Sequence, residues 1–356
     1  MDKKYFALFV SQHLYFLPQF YPIALELKKR NRDFLILLMC KDLEYQNQVA
    51  IDFCIDNGFE YKLFKEEDEP ILCKFMINGG NKFPVFDINY DYSVSIVHGI
   101  GTKSGYYSDI LNNHDIRFIE GQKRVDRIKE LFPDTKCNLY NVGFAKLDTA
   151  IKIIKEDKEY YFKKYNLDLS KKTLLYAPTF YPSSIENMPN NFPELFKDLN
   201  IIVKPHFFSL QRKKYKHHLK KFALWKQYNN VFFADAEDFD LCPFMAVSDI
   251  MLTDESSAIF EFAALNKPVI INRDIRYRLS YRIFKSKIKK RLDSNMDIYR
   301  KVGIEILDSS FIHEVVMNEL EHINNKEKER KEVTEQIVGK VDGKVSLRIC
   351  DILEKY

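Results

Sequence analysis

Short apolar runs alternate with longer amphipathic stretches along most of this chain. Apolar runs of strand length predict buried strands, and apolar residues recurring every three or four positions predict helices. The predicted strands lie at 6–10, 34–39, 93–97, 117–119, 139–142, 173–177, 201–203, 231–234, 250–253 and from 268 onward. The predicted helices lie at 17–30, 43–57, 122–131, 146–165, 240–248, 311–324 and 345–353, with another after residue 257. This alternation predicts parallel sheets with helices on both faces.

The pattern restarts once, and this indicates two domains. A long charged helix at 146–165 is followed by the polar stretch 166–172, after which strands and helices alternate again. A chain of 356 residues is long enough for two domains of ordinary size. We therefore predict an α/β protein with two Rossmann-like domains facing a cleft, at 1–165 and 166–335. The helix in 336–356 is expected to pack back across the domains.

Composition is typical of a globular protein, with 46% hydrophobic and 30% charged residues. The six cysteines form no CxxC pair and have no metal-ligand spacing with histidine, which favours reduced thiols in a cytosolic protein. The N-terminus lacks the pattern of a signal peptide, and the longest apolar run is far shorter than the roughly 18 residues of a membrane span. We expect a cytoplasmic protein.

The net charge of +4 says little about partners, but its distribution is informative. Residues 276–291 contain eight basic residues and no acidic one, with an apolar stripe at helical spacing. A basic amphipathic helix suits an anionic membrane surface, and the alternative is that the stripe packs on the protein itself. The residues expected to face the membrane are Arg278, Arg282, Lys285 and Lys289. A second basic cluster lies at 212–221. Nucleic acid is not expected as a partner, because no known nucleic-acid module is present.

A polar turn with three hydroxyl side chains lies between the strand at 250–253 and the following helix. Its candidate phosphate ligands are Thr253, Asp254, Ser256 and Ser257. Ligands bind at the carboxyl ends of strands in open α/β sheets, and a helix N-terminus attracts anions. The alternative is that Thr253 or Asp254 is only an N-cap of the helix.

His98 stands at the tip of the predicted strand at 93–97 and is followed by Gly99. Lys103 lies in the same glycine-containing loop. Because parallel sheets carry their sites at this end and histidine exchanges protons near neutral pH, we interpret His98 as a catalytic or ligand-contacting residue. The alternative is a structural histidine.

A second histidine, His206, ends the segment that begins with Lys204 and follows the strand at 201–203. Lysine and histidine at a strand tip can both bind phosphate oxygens, and the alternative is a surface turn. Glu261 lies in an otherwise apolar helix, where a carboxylate reaches either solvent or a specific donor such as a pair of ribose hydroxyls.

These motifs occur in one order that resembles a known family. They are His98-Gly99 with Lys103, the segment 175–179, Lys204-Pro205-His206, the segment 248–257 with Glu261 and Pro268, and 342–346 with Arg348. Together they resemble the CDP-glycerol glycerophosphotransferase family of teichoic acid primases and polymerases. The resemblance covers the chain from Ser93 onward, and the first ninety residues fit only as a generic Rossmann half.

The chain departs from the family pattern at several positions. Residues 100–102 read Ile-Gly-Thr where the family usually has Thr-Pro-Leu. Val97 and Glu255 stand where tryptophan and tyrosine are common. These departures leave the acceptor and the alditol open.

The resemblance implies a GT-B fold with the acceptor in the N-terminal domain and the nucleotide in the C-terminal domain. It implies transfer of an alditol phosphate from a CDP-alditol to a hydroxyl of a lipid-linked or polysaccharide acceptor, with release of CMP. Such enzymes make cell-surface polymers, including teichoic acid and capsule, at the inner face of the cytoplasmic membrane, which implies a peripheral location.

The resemblance also assigns roles to residues. His98 and His206 would be catalytic, and Gly99 and Lys103 would form the acceptor loop. Donor phosphates would be bound by Lys204, Thr253, Asp254, Ser256 and Ser257, and the ribose by Glu261.

The sequence contains no cluster of acidic residues that would hold a metal, so no tightly bound metal or cofactor is expected. A loosely bound Mg²⁺ ion on the pyrophosphate of the donor stays open. Two other functions stay open as well. One is a GT-B glycosyltransferase or 2-epimerase that uses a nucleotide sugar. The other is a non-catalytic protein of polysaccharide assembly.

Overall fold

The computed structural model describes residues 3–39, 44–65, 69–83, 88–100, 104–275, 277 and 299–356. The chain divides into two compact units. The first unit is Met1–Thr149 together with Glu335–Tyr356, and the second is Ala150–Thr334.

The elements are as follows in chain order. The strands are β1 Tyr5–Ser11, β2 Phe34–Leu38, β3 Tyr61–Leu63, β4 Ile71–Asn78, β5 Ile88–Ile96, β6 Ile116–Ile119, β7 Asn138–Asn141, β8 Thr173–Ala177, β9 Asn200–Val203, β10 Val231–Phe233, β11 Ile250–Thr253, β12 Val269–Asn272 and β13 Ile304–Ile306. The α-helices are α1 Leu17–Lys29, α2 Glu44–Asp56, α3 Gln122–Leu131, α4 Lys146–Lys152, α5 Lys158–Lys164, α6 Phe207–Gln211, α7 Lys216–Trp225, α8 Cys242–Val247, α9 Ala258–Ala263, α10 Ile312–Glu321, α11 Glu327–Ile337 and α12 Val345–Leu353.

Each unit contains one sheet whose described strands all pair in parallel. The strand orders are β3-β2-β1-β4-β5-β6-β7 in the first unit and β10-β9-β8-β11-β12-β13 in the second. Both orders reverse direction once, next to β1 and next to β8, as in a Rossmann sheet. The predicted fold class, α/β with two Rossmann-like domains, is confirmed.

The pattern of apolar residues did not predict β3, β4 or β13. The most important of these is β4, because it lies between β1 and β5 in the middle of the first sheet. The second half of β4 is buried on both faces, so it shows no alternation of apolar and polar residues. Its run is also interrupted by Lys74, which weakened the strand signal.

The boundary between the units falls inside α4, earlier than the boundary predicted after residue 165. The predicted single helix at 146–165 is α4, a π-helical turn at Ile153–Asp157, and α5. Tyr165, just after α5, packs against Phe232 and Phe244 of the second unit at ring-centroid distances of 4.6 and 4.8 Å. These aromatic contacts place α5 in the second unit.

The C-terminal helix α12 is part of the first unit and packs against α1. The buried carboxylate of Asp148 accepts hydrogen bonds from the N–H groups of Val345 and Ser346 at 3.1 and 2.7 Å. It also accepts the hydroxyl of Ser346 at 2.8 Å. Arg30, just after α1, forms ion pairs with Asp351 of α12 and with Glu354, which directly follows α12. A side chain from another element therefore caps this helix.

We expect Asp148→Ala to lower the free energy of unfolding by about 2 to 3 kcal/mol, because the buried N–H groups at the start of α12 lose their acceptor. Urea denaturation of the purified protein measures this change. The exposed Asp134, in a turn, provides the control, and Asp134→Ala should change stability by less than about 0.5 kcal/mol. Equal effects of the two substitutions would contradict the capping role of Asp148.

Candidate functional site

The candidate residues follow the carboxyl ends of parallel strands in both units. In the first unit, His98 comes two residues after the end of β5. In the second unit, Lys204 and His206 follow β9, and the turn at 253–257 follows the last residues of β11. Open α/β sheets bind their ligands at this edge.

His98 is held in one tautomer. Its Nδ1 lies 3.0 Å from the carbonyl oxygen of Gly79, which directly follows β4. A carbonyl oxygen only accepts, so Nδ1 carries the proton and Nε2 keeps its lone pair. The hydroxyl of Tyr106 lies 3.4 Å from Nε2. An imidazole in this state can take a proton from a hydroxyl group, as a general base does.

Aromatic side chains fix the plane of the His98 ring. Phe16 stacks on it with a centroid distance of 4.6 Å and an interplanar angle of 25°, and Tyr15 packs at 4.8 Å. A Cβ atom on Gly79 would meet Phe16 Cδ2 and Phe20 Cζ at 2.9 Å each, so a larger residue would displace this packing. The connection between β1 and α1 therefore orients the histidine.

Tyr106 is positioned by two buried arginines. Arg117 donates to its carbonyl oxygen at 3.1 Å, and the guanidinium of Arg124 lies 4.8 Å from its ring centroid. Burial lowers the pKa of Arg117 to about 10, so it remains a cation at neutral pH. Arg124 forms a buried ion pair with Glu120. The glycines of this loop drew attention in the sequence, but no local pattern marked Tyr106.

In the second unit, the carboxylate of Asp254 is fully buried and joins two loops. It accepts the N–H groups of Thr179 and Ser184 at 3.0 and 3.1 Å and the hydroxyl of Ser183 at 3.1 Å. Burial raises its pKa to about 7 against the opposing effect of these bonds. This geometry revises the sequence prediction, because Asp254 positions the loops after β8 and β11 instead of facing a phosphate.

The hydroxyls of the turn divide into two groups. The buried Thr253 donates to the carbonyl of Ala177 at 2.7 Å, which links the ends of β11 and β8 and revises its predicted role as a phosphate ligand. Ser256 and Ser257 are half-buried. Ser256 accepts the N–H of Ala258 at 3.2 Å, whereas the alternative that Thr253 or Asp254 caps the helix is not observed. The serines are the better candidates for contact with phosphate.

Glu261 is buried in α9, and its carboxylate accepts the hydroxyl of Ser257 at 3.3 Å. The glutamate expected to bind ribose is thus coupled to one of the serines expected to bind phosphate. The ribose contact stays a prediction.

His206 has the opposite tautomer to His98. Its Nδ1 accepts the N–H of Phe208 at 3.1 Å and caps α6, so the proton of the neutral ring is on Nε2. The ring packs against Phe180 at 4.6 Å. A neutral His206 is therefore a donor, suited to an anionic oxygen. Lys204 is buried beside it, with Nζ 3.4 Å from the carbonyl of Pro205.

Two arginines next to the turn were not anticipated. Arg300 donates to the carboxylate of Glu255 at 2.6 Å, and Arg273 lies 3.5 Å from the same oxygen. Arg273 also pairs with Glu305 at 2.8 Å. The sequence contained one signal for these arginines, since Glu255 departs from the family pattern and a partly buried acidic residue there needs cationic partners.

Five of the predicted site residues are not among those that the structure describes. Lys103 of the acceptor loop lies outside the described residues, and so do Arg278, Arg282, Lys285 and Lys289 of the basic stripe. Gly99 is described and buried. Among the helices that the structure describes, none has the length and apolar character needed to cross a bilayer.

The two Rossmann-like units, with polar side chains at their strand ends, define an α/β protein of the GT-B type. The model of the CDP-glycerol:poly(glycerophosphate) glycerophosphotransferase family matches residues 112–355. This match covers more than half of the chain, and the chain belongs to that family.

Three known proteins illustrate the similarity. The teichoic acid glycerol-phosphate primase of Bacillus spizizenii is 28% identical over 154 residues, which are 43% of this chain and 39% of the primase. The wall teichoic acid polymerase TagF has a TM-score of 0.68 at 16% identity, covering 98% of this chain and 88% of the solved chain. A UDP-N-acetylglucosamine 2-epimerase has a TM-score of 0.59 at 15% identity, covering 99% and 96%. The structural similarities show a shared fold.

We expect the pH dependence of stability to change in Asp254→Asn. The pKa of Asp254 is raised from 3.8 to about 7 by burial. Between these values the folded state holds a proton that the unfolded state has released, so this group makes the wild type less stable as pH rises through that window. The asparagine variant lacks this contribution. Urea denaturation of both proteins at several pH values between about 4 and 7 measures the difference in slope.

The exposed Asp198 provides a matched control, and Asp198→Asn should retain the wild-type slope over that range. A wild-type slope in Asp254→Asn as well would refute the raised pKa.

Proposed function

We propose that this protein transfers an alditol phosphate from a CDP-alditol to a hydroxyl group of a lipid-linked or polysaccharide acceptor and releases CMP. Membership of the family supports the reaction class. The observation that carries the proposal is the tautomer of His98, whose Nδ1 donates to Gly79 and whose Nε2 therefore keeps its lone pair. The matched part is less than half of the curated primase, so the complete activity is a proposal for this chain.

In the proposed reaction, the acceptor hydroxyl attacks the phosphorus atom that carries the alditol. A new P–O bond forms, the bond to the oxygen of CMP breaks, and His98 Nε2 takes the hydroxyl proton. His206 Nε2–H donates to an oxygen of the departing phosphate and stabilises its charge. Phosphoryl transfer depends mainly on such positioning and charge stabilisation.

The second unit would hold the donor. Ser256, Ser257 and Lys204 would bind the phosphate oxygens, and Glu261 would accept hydrogen bonds from the ribose hydroxyls. Thr253 and Asp254 would act indirectly, because their bonds to Ala177, Thr179 and the loop at 183–184 set the shape of the turn. No tightly bound cofactor is proposed for the transfer, and Mg²⁺ on the donor pyrophosphate stays open.

The proposed acceptor also suggests where in the cell the protein works and which surface it binds. A lipid-linked acceptor would require the protein to work at the inner face of the cytoplasmic membrane. The basic stripe at 276–291 would supply attraction to anionic lipids. Synthesis of teichoic acid or of a capsule polymer would fit equally well with this arrangement.

We expect His98→Ala to lower kcat by about 10²- to 10⁴-fold, the usual contribution of a general base, with little change in the Kd for the donor. Release of CMP from CDP-glycerol or CDP-ribitol measures turnover, and isothermal titration measures donor binding. Ser257→Ala should instead weaken donor binding. The exposed His322 is the matched control, and His322→Ala should behave like the wild type. Normal turnover by His98→Ala would exclude His98 as the base.

The nucleotide preference is tested by melting the pure protein with CDP-glycerol, CDP-ribitol, CDP, CMP, UDP-GlcNAc and UDP. A ligand that binds only the folded state at 100 times its Kd adds about 2.7 kcal/mol, which is a clear rise in Tm. We expect rises with the cytidine ligands alone. The fold shared with the 2-epimerase makes a nucleotide-sugar enzyme the second candidate, and rises with the uridine ligands alone would favour it.

A cytidine response without any turnover on tested acceptors, including a teichoic acid primer, would favour the non-catalytic assembly protein.

A further inference from the structure

A cluster of metal-binding side chains lies in the second unit, away from the turn at 253–257 in sequence. It joins Glu186, in the loop after β8, to His217 and His218 at the start of α7. The Nε2 atoms of both histidines lie 3.0 Å from Glu186 Oε1. Each residue contributes one ligand atom, and these atoms all lie within 4.8 Å of one another.

These three ligand atoms are of the types that coordinate zinc in proteins. Zn²⁺ binds imidazole nitrogens and carboxylate oxygens at about 2.0 to 2.2 Å, in tetrahedral geometry. Ligand atoms around such a centre are about 3.3 Å apart, close to the observed separations between Oε1 and the two Nε2 atoms. Three protein ligands leave a fourth position for water. His217 is half-exposed and gives an ion access from solvent.

The cluster is held in place before any ion arrives. His218 is buried and stacks on Tyr215 with an interplanar angle of 13° and a centroid distance of 5.5 Å. The backbone carbonyl of Glu186 accepts Lys221 Nζ at 2.9 Å. The loop just before Glu186 is anchored through the bond from Ser184 N–H to Asp254. Little rearrangement is therefore needed for binding.

Two further polar atoms of the cluster are unsatisfied in the part of the chain that the structure describes. Glu186 Oε2 and His218 Nδ1 are buried and have no hydrogen-bond partner among the described residues. Both imidazoles face the Glu186 carboxylate at Oε1, and the ammonium group of Lys221 also interacts with it electrostatically. A divalent ion bound between Oε1 and the two Nε2 atoms would bring a further positive charge to this carboxylate.

We propose that Glu186, His217 and His218 bind one divalent transition-metal ion, with zinc the best fit to the ligand set. The ion links the loop after β8 to the start of α7, so its role is structural. This site goes beyond the transfer reaction, and zinc binding here would overturn the sequence-based expectation of no tightly bound metal, which stays a prediction. Sequence spacing missed it because the two histidines are adjacent and the glutamate lies 31 residues before them.

The surrounding charge limits the affinity. The basic cluster at 212–221 contains both histidines, and its exposed lysines oppose an incoming cation. Lys221 opposes it as well, because its Nζ is bonded to the carbonyl oxygen of Glu186. Four buried cysteines are poor competitors for zinc at neutral pH, since burial raises the pKa of Cys54, Cys73, Cys137 and Cys350 to about 12.

The test uses the full chain, stripped with a chelator, dialysed and titrated with ZnCl₂ by isothermal calorimetry. We expect one equivalent to bind and the Tm to rise with zinc. His217→Ala should weaken binding at least 10-fold and abolish the rise in Tm. Because His217 is exposed, this variant should fold normally, and its far-UV circular dichroism checks that. Glu186→Gln should weaken binding similarly while keeping the shape of the side chain.

His322→Ala, which removes an exposed histidine of the same unit, should bind zinc like the wild type. Absence of binding to the stripped wild type would show that the cluster is a metal-free His–Glu–His pairing and would overturn the proposal. Equal zinc affinity in the wild type and in His217→Ala would overturn it too. None of these readouts depends on turnover, so they stand apart from the test of the transfer reaction.

Discussion

The parallel pairing of the strands is the constraint on which the described chemistry depends. Parallel strands place all their carboxyl ends at one edge of a sheet, and the segments that leave this edge carry the polar side chains. In the first unit, the ends of β4 and β5 bring Gly79 next to His98. In the second, the ends of β8 and β11 meet through Asp254 and Thr253. In each unit, the shared carboxyl edge of the sheet explains why residues distant in sequence lie close together.

Hydrogen bonding at Nδ1 gives the two histidines different chemistry. His98 donates through Nδ1 to a carbonyl, whereas His206 accepts there from a backbone N–H. The first arrangement leaves a basic nitrogen at Nε2, and the second leaves a donor. In the proposed transfer His98 would act as the base and His206 as the donor, and backbone geometry, not residue type, would separate these two roles.

The loop after β8 connects several features of the second unit. Its N–H groups bind Asp254, and Glu186 near its end meets the two histidines of α7. A buried carboxylate with a pKa raised to about 7 holds one end of this loop, and the proposed metal ion holds the other. Both devices restrict a segment that follows a strand at the ligand-binding edge, where a mobile loop would cost binding free energy on ordering.

The sequence by itself determined the fold class, most strands and the position of His98 and His206 after strands, because apolar periodicity and strand-tip motifs are local signals. It could not find β4, which is hidden by burial on both faces, or assign α5 to the second unit, which depends on the packing of Tyr165. Only the tertiary structure showed that Asp254 is buried and that Glu186 meets two histidines. Burial, tautomer and ligand geometry arise from contacts between residues far apart in the chain, and no local pattern encodes them.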